Sequence, residues 1–296
     1  YCGWIDSVLV SYHPRREEAG PVSRPESVLG SAGQVPNAAD NVLAATWNHL
    51  ESVEQIFAER GGEIAAVIAE PVLCNSGSLM PAPGFLEAVA RLARAHGALL
   101  IFDEVITGFR MAPGGAQQAL GVVPDLATFG KAMGGGLPLS AIAGRAEIMD
   151  QLSEGRVSFG GTFNGNPVSL AAAHATLREL ARDEGALLRE ANRLGRVLME
   201  GLSQAAAAAG VPVCVTGFGA AFSVHFTGLA HLSGYRDCLH DDTARLARFL
   251  RGMLDEGIYL LPDGRFYVSA AHGQPEIEET LRAAAAVFVR EAAASH

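Results

Sequence analysis

Among the 22 lysines and arginines of this 296-residue chain, Lys131 is the single lysine. Arginine replaces lysine well as a surface cation, but its guanidinium keeps its proton, whereas a desolvated lysine sheds one and becomes a nucleophile. Drift toward arginine and alanine, visible in SQAAAAAG at 203–210, explains the arginines. A lysine that survives such drift is either a chance remnant on a solvated face or an amine in use. Lys131 follows Thr128-Phe129-Gly130 and precedes AMGGGLP, and these glycines let the backbone pass close to a bound group. A phosphate-cradling loop needs Ser or Thr directly after its lysine, and here Ala132 follows. GFGA at 217–220 is too short for a dinucleotide fingerprint. The second candidate is Asp103, which with Glu104 closes the apolar run ALLIFDEV.

These residues need elements to hold them. EIAAVIAEPV is a short apolar run suited to a buried parallel strand, PGFLEAVARLARAHG reads as an amphipathic helix closed by glycine, and ALLIFDEV is the next strand. Strand, helix, strand implies a right-handed crossover in an α/β sheet, whose ligands gather beyond the strand C-termini. DLATFG and LSAIAGR predict two further strands flanking the Lys131 loop, and AEIMDQL a short helix. VSLAAAHATLREL and EGALLREANRLGRVLMEGLSQAAAAA are helical in period. Strand-like VPVCVTGFGAAFSVHF and IYLLPDGRFYVSAA then alternate with helical TARLARFLRGMLDEG and PEIEETLRAAAAVFVREA. The economical division is a large domain at 1–180 and a small α+β domain at 181–296. The proline-rich stretch 11–41 predicts a long loop, a kind that is often functional. An acid and a lone amine at neighbouring strand tips suit a cofactor held between them. Pyridoxal phosphate takes a lysine at its aldehyde and an acid at its ring nitrogen. The same acid also fits a helix cap or an Asp–Arg pair, and spacing alone leaves both open.

Composition narrows the partners. A formal charge of −10 argues against nucleic acid, which needs a basic face. Cys2, Cys74, Cys214 and Cys238 lie far apart without CxxC spacing, and the histidines have no ligand spacing, so no metal site is expected and a reducing cytoplasm fits. No apolar run approaches the roughly 20 residues that span a bilayer, so no membrane is expected. A small molecule is the expected partner.

Four stretches, AEPVLCNSGSLMPAPGFLEAV, LLIFDEVITGFR, PDLATFGKAMGGGLPLSAIAGR and GGTFNGNPVSLAAA, occur in the order and spacing of the class III pyridoxal-phosphate aminotransferases. The chain resembles this family from Tyr1 nearly to its end, and within it the glutamate-1-semialdehyde 2,1-aminomutases most of all. The resemblance implies the α/β fold type I, with a mostly parallel sheet flanked by helices and a smaller α+β C-terminal domain. It implies pyridoxal 5'-phosphate as cofactor, an amino or keto acid substrate, and a homodimer. Lys131 matches the lysine that bonds the cofactor and then shuttles protons. Asp103 matches the partner of the pyridine nitrogen, and Val105 the side chain beneath the ring. Asn75 matches the polar residue near the phenolic oxygen. Thr162 matches the residue that reaches the neighbouring subunit's cofactor phosphate. Tyr1 and Gly3 fall where the family has Tyr-His-Gly, whose aromatic ring stacks on the cofactor.

The chain also departs from the pattern. Cys2 replaces the histidine of Tyr-His-Gly, SYHPRREEAGPVSRPESVLGS replaces a Gly-Ser-rich gating segment, and PDGRFYVSA stands where the aminomutases have Phe-Glu-Ala-Gly-Phe, so a glutamate near the substrate is missing. The family's phosphate-binding loop precedes Tyr-His-Gly. Its absence here implies a longer protein or a separate polypeptide that supplies it, and poor cofactor binding by this chain alone. The expected activity is intramolecular amino transfer of the aminomutase kind. The alternatives are a class III transaminase acting on a β- or ω-amino acid or a biosynthetic amine, and an inactive fragment or subunit.

Overall fold

The run that ends in Asp103 forms the second strand of a four-stranded sheet. Strands β1 (Ala66–Ala69), β2 (Leu99–Asp103), β3 (Leu126–Phe129) and β4 (Ala141–Gly144) lie side by side in that order; the first three are parallel and β4 is antiparallel to β3. The computed structural model describes residues 1–293. It divides the chain into two units, one of Tyr1–Pro14, Glu18–Pro71 and Pro83–Ala186, the other of Arg15–Glu17, Val72–Ala82 and the chain from Leu187 on.

Within the first unit, the two-residue period of β2 sorts its side chains. Leu100 and Phe102 are 3% and 0% exposed and pack with Ala127 of β3. They face Val53 and Phe57 of helix α1 (Leu50–Arg60) and Phe85, Leu86 and Val89 of α2 (Phe85–Ala95). Leu99, Ile101 and Asp103 alternate with these and take the other face. Helix α1 has no clear apolar period in the sequence. Its start is fixed by the His49 ring, which accepts the Ser52 amide proton at 3.3 Å, with Glu51 in its first turn and Arg60 in its last. Helix α3 (Gly115–Leu120) lies between β2 and β3, and α4 (Ala146–Ser153) and α5 (Pro167–Ala181) follow β4. Asn166 caps α5 by accepting from the Val168 and Ser169 amides, and Pro167 takes the first helical position.

In the second unit, β5 (Cys214–Gly217), β6 (Ala221–His225) and β7 (Arg265–Tyr267) form an antiparallel sheet with β6 in the middle. Helices α6 (Ala186–Ala208), α8 (Thr243–Asp255) and α9 (Gln274–Ala293) supply Leu198, Leu202, Phe249, Met253, Val287 and Phe288 to its core, and α7 (Tyr235–Cys238) is a single turn. The Phe249 and Phe288 rings stack at 4.9 Å. Gly195 lets α6 lie against the Gly219 carbonyl, which a Cβ would meet at 2.0 Å. The mostly parallel, helix-flanked α/β sheet and the α+β C-terminal part agree with the sequence expectation.

Candidate active site

Asp103 and Glu104 are adjacent, and the structure gives them opposite tasks. Glu104 is fully buried. Its carboxylate accepts from Thr107 Oγ1 at 2.9 Å, from the Ala116 amide at 2.5 Å, and from the Gln117 amide and Nε2 at 3.1 Å each. It satisfies the first amides of α3, and a Cβ on Gly115 would strike it. Asp103, on the opposite parity at the C-terminal end of β2, takes the Val105 amide on Oδ1 at 3.0 Å and the hydroxyl of Thr128, its register partner on β3. Burial pushes its pKa above the ordinary carboxylate range, while the Val105 amide, the Lys131 charge and Thr128 pull it back. Such an acid favours a cationic or proton-donating partner.

β3 ends at Phe129, and Gly130 leads into a 3₁₀ turn over Lys131–Gly134. Lys131 is exposed, with a φ of +46°. A side chain in this left-handed region costs about 1–2 kcal/mol, so the neighbouring structure holds the lysine in a conformation it would not choose. Gly135 and Gly136, at φ +57° and +93°, carry the chain out of the turn. Val105 lies against the same loop, since a Cβ on Gly130 would be 3.5 Å from its Cγ1. The first unit therefore brings Asp103, Val105 and Lys131 together at the C-terminal ends of adjacent parallel strands, where α/β sheets bind ligands.

The Tyr1 hydroxyl is pushed up by burial, then by Tyr12 and Asp103. Its ring lies 5.0 Å from Tyr12 and 5.3 Å from Trp4, aromatic neighbours that the sequence did not single out. Ser11 and His13, on either side of Tyr12, both have positive φ. Cys2, in the family's histidine position, is a thiol whose pKa is pushed up to about 11 by burial and by the charges of Asp103 and Glu70, so it is neutral at physiological pH. Gly3 has a φ of +107°, and a Cβ there would meet nothing, so backbone conformation and not space calls for glycine. Thr162 stands apart in an exposed turn, and its side chain makes no hydrogen bond among the described residues.

Asn75 belongs to the second unit. Val72–Ala82 folds as a hairpin in which Leu73 and Leu79 exchange backbone hydrogen bonds at 2.9 and 3.3 Å. Polar bonds fasten it to that unit's sheet. The Gly77 carbonyl accepts from Thr216 Oγ1 at 2.5 Å and faces His225 Nε2 at 3.1 Å, and Ser78 Oγ meets Ser223 Oγ at 2.8 Å. His225 Nδ1 pairs with Asp241 Oδ2 at 2.6 Å. Arg265 Nη1 donates to Asn75 Oδ1 at 3.0 Å.

The donor set of the first unit fits pyridoxal phosphate. Lys131 offers an amine for the aldehyde, Asp103 a half-buried acid for the ring nitrogen, and Val105, beside a glycine that leaves room, an apolar surface for a flat ring.

A family model described as aminotransferase class-III matches residues 25–276. Glutamate-1-semialdehyde 2,1-aminomutase of Pelotomaculum thermopropionicum is 43% identical over 291 residues, 97% of this chain and 65% of that protein. The chain thus spans less than two thirds of that relative's length. Among solved structures, an omega-transaminase from Sphaerobacter thermophilus is 32% identical with a TM-score of 0.91, over 99% of this chain and 67% of its own. A glutamate-1-semialdehyde-aminomutase from Pseudomonas aeruginosa PAO1 is 25% identical with a TM-score of 0.82, over 99% and 64%.

Proposed function

Because the chain belongs to the class III aminotransferase family, we propose that the protein is a pyridoxal-phosphate-dependent enzyme that moves an amino group within one bound molecule, as a glutamate-1-semialdehyde 2,1-aminomutase does. The observation that carries this reading is the placing of Lys131 and Asp103 at neighbouring strand ends, with Lys131 held at a φ of +46°. Pyridoxal phosphate, when bound, supplies an aldehyde for amine exchange and an electron-poor ring that accepts the electron pair left when a C–H bond beside the nitrogen breaks.

The chain's own residues do the rest. Lys131 Nζ would hold the cofactor through its aldehyde carbon and, once freed by a substrate amine, would serve as the base and acid that moves the substrate's proton. Asp103 stays ionised against the protonated ring nitrogen; a cation there favours the charged carboxylate and offsets its burial. Its part is electrostatic. Val105 and Tyr1 would hold the cofactor's ring. Asn75 meets the phenolic oxygen, and Thr162 reaches the phosphate held by the other subunit of a cytoplasmic homodimer. Residues 1–180 and 181–296 form the large and small domains of each subunit. Among the described residues, no helix is long and apolar enough to cross a membrane.

A second reading, a transaminase acting on a β- or ω-amino acid or a biosynthetic amine, is favoured by PDGRFYVSA, which places Arg265 where the aminomutases have their Phe-Glu-Ala-Gly-Phe segment. Product analysis separates the two. Isomerisation of glutamate-1-semialdehyde without an added keto acid supports the mutase; amino transfer only with an added keto acid, and no isomerisation, overturns it.

A further inference from the structure

The turn that carries Lys131 is backed at both ends by its own unit. A Cβ on Gly130 would stand 3.5 Å from Val105 Cγ1 and 3.6 Å from the Leu139 carbonyl oxygen, so that end rests on ordinary contacts. The other end has no such room. A Cβ on Gly135 would strike Thr176 Oγ1, with Thr176 Cβ at 3.5 Å and the Ala172 carbonyl oxygen at 3.8 Å. Helix α5 therefore lies against the Lys131–Gly134 turn along the face that holds Ala172 and Thr176, four residues apart. Thr176 is the exception on this helix. Residues 171, 172, 173 and 175 around it are alanines, threonine is the poorer helix former, and its hydroxyl makes no hydrogen bond among the described residues. What the half-buried side chain does is fill space against Gly135. A β-branched side chain on a helix has few rotamers in which to turn aside.

We infer that Thr176 is a positioning residue for Lys131: its side chain braces the Gly135 end of the turn and so holds the lysine in its left-handed backbone conformation. The inference rests on the reading above, which gives Lys131 Nζ the aldehyde carbon of pyridoxal phosphate. Thr176 acts through the backbone of Gly135 and takes no part in the chemistry. The brace is a matter of shape, because the hydroxyl has no partner to lose. Gly135 is required twice over, once by its φ of +57° and once by the side chain that lies against it. Removing the Thr176 side chain lifts the second requirement and leaves the first.

The test is a double-mutant cycle on the protein expressed from its complete gene. Each variant is mixed with pyridoxal phosphate for short fixed times, quenched with borohydride and digested, and the rate at which the Lys131 peptide gains a pyridoxyl group is read by mass spectrometry. Thr176→Val keeps the shape and is expected to match wild type. Thr176→Ala should slow the gain by about 3- to 10-fold and Gly135→Ala by on the order of 10²-fold, since a displacement of about 1 Å at a reacting group costs that much. Gly135→Ala with Thr176→Ala makes room for the added methyl and should recover at least about tenfold over Gly135→Ala alone. Circular dichroism and thermal unfolding check that each variant is folded. A double variant no faster than Gly135→Ala would overturn the inference, as would Thr176→Ala or Gly135→Ala reacting at the wild-type rate. Thr176→Val as slow as Thr176→Ala would overturn it too, making the hydroxyl and not the shape the acting group. If wild-type Lys131 gains no pyridoxyl group at all, the proposed function fails, and the role given to Thr176 falls with it.

Discussion

Lys131 and Asp103 are each held in a state that costs stability, which is what a binding residue would show and a merely structural one would not. Lys131 has a left-handed backbone, so in the ligand-free protein Lys131→Gly should be more stable than Lys131→Ala by about 1 kcal/mol in urea unfolding, because glycine alone adopts that φ freely. Equal stabilities would remove the strain argument. Both variants should lower amino-transfer rates by at least about 10²-fold, the loss of a positioned acid–base group. Asp103 has a folded pKa raised chiefly by burial, so the folded state keeps a proton that the unfolded chain has released. Its contribution to stability is therefore present below the unfolded value and is lost as pH rises through the folded one. Ligand-free Asp103→Asn should then gain thermal stability over wild type as pH climbs from about 4 toward neutrality; an advantage that shrinks over that range would contradict the burial account. Lone lysine and terminal aspartate were both legible in the sequence. The separate duties of Asp103 and Glu104 were not, because adjacent carboxylates look alike until strand parity assigns one to the ligand face and the other to the amides of α3.

Among the elements, strands β1 to β4 and helices α2, α4, α5, α6, α8 and α9 follow the periodicities of the sequence, and α2, α6, α8 and α9 each bury an apolar face. The α1 helix escaped notice, since its buried face amounts to Ser52, Val53 and Phe57 and its start depends on a histidine cap. Nor did any local signal place the Val72–Ala82 hairpin with the C-terminal unit, because its partners Thr216, Ser223, His225 and Arg265 lie far along the chain. Two substitutions probe these assignments. Glu104→Ala leaves the Ala116 and Gln117 amides without their acceptor and should destabilise the protein by about 2–3 kcal/mol in denaturant unfolding; a loss under half that would mean that Glu104 does not organise α3. Gly195→Ala inverts the usual rule. Alanine in a helix interior ordinarily stabilises by about 1 kcal/mol over glycine, but here its Cβ would meet the Gly219 carbonyl, so a loss of about 1–3 kcal/mol is expected. A stabilised Gly195→Ala protein would show that α6 does not pack as closely as described.

At the scale of the whole molecule, family membership rests on stretches of sequence in register and on a fold shared with omega-transaminase and aminomutase structures over nearly all of this chain. The chemistry rests on fewer atoms. The same sheet positions a lysine and an acid for both the mutase and the transaminase, so fold alone does not choose between them. The choice belongs to the stretch 11–41 and to PDGRFYVSA, the two places where the sequence leaves the aminomutase pattern. Both readings require one bond, between Lys131 Nζ and the aldehyde carbon of pyridoxal phosphate. That bond can be caught directly. The protein expressed from its complete gene is mixed with pyridoxal phosphate, reduced with borohydride, digested and mapped by mass spectrometry. The account predicts a pyridoxyl group on the peptide containing Lys131, absent from Lys131→Ala and diminished in Asp103→Asn. A pyridoxyl group on another residue, or none on Lys131 in a folded protein, would contradict it.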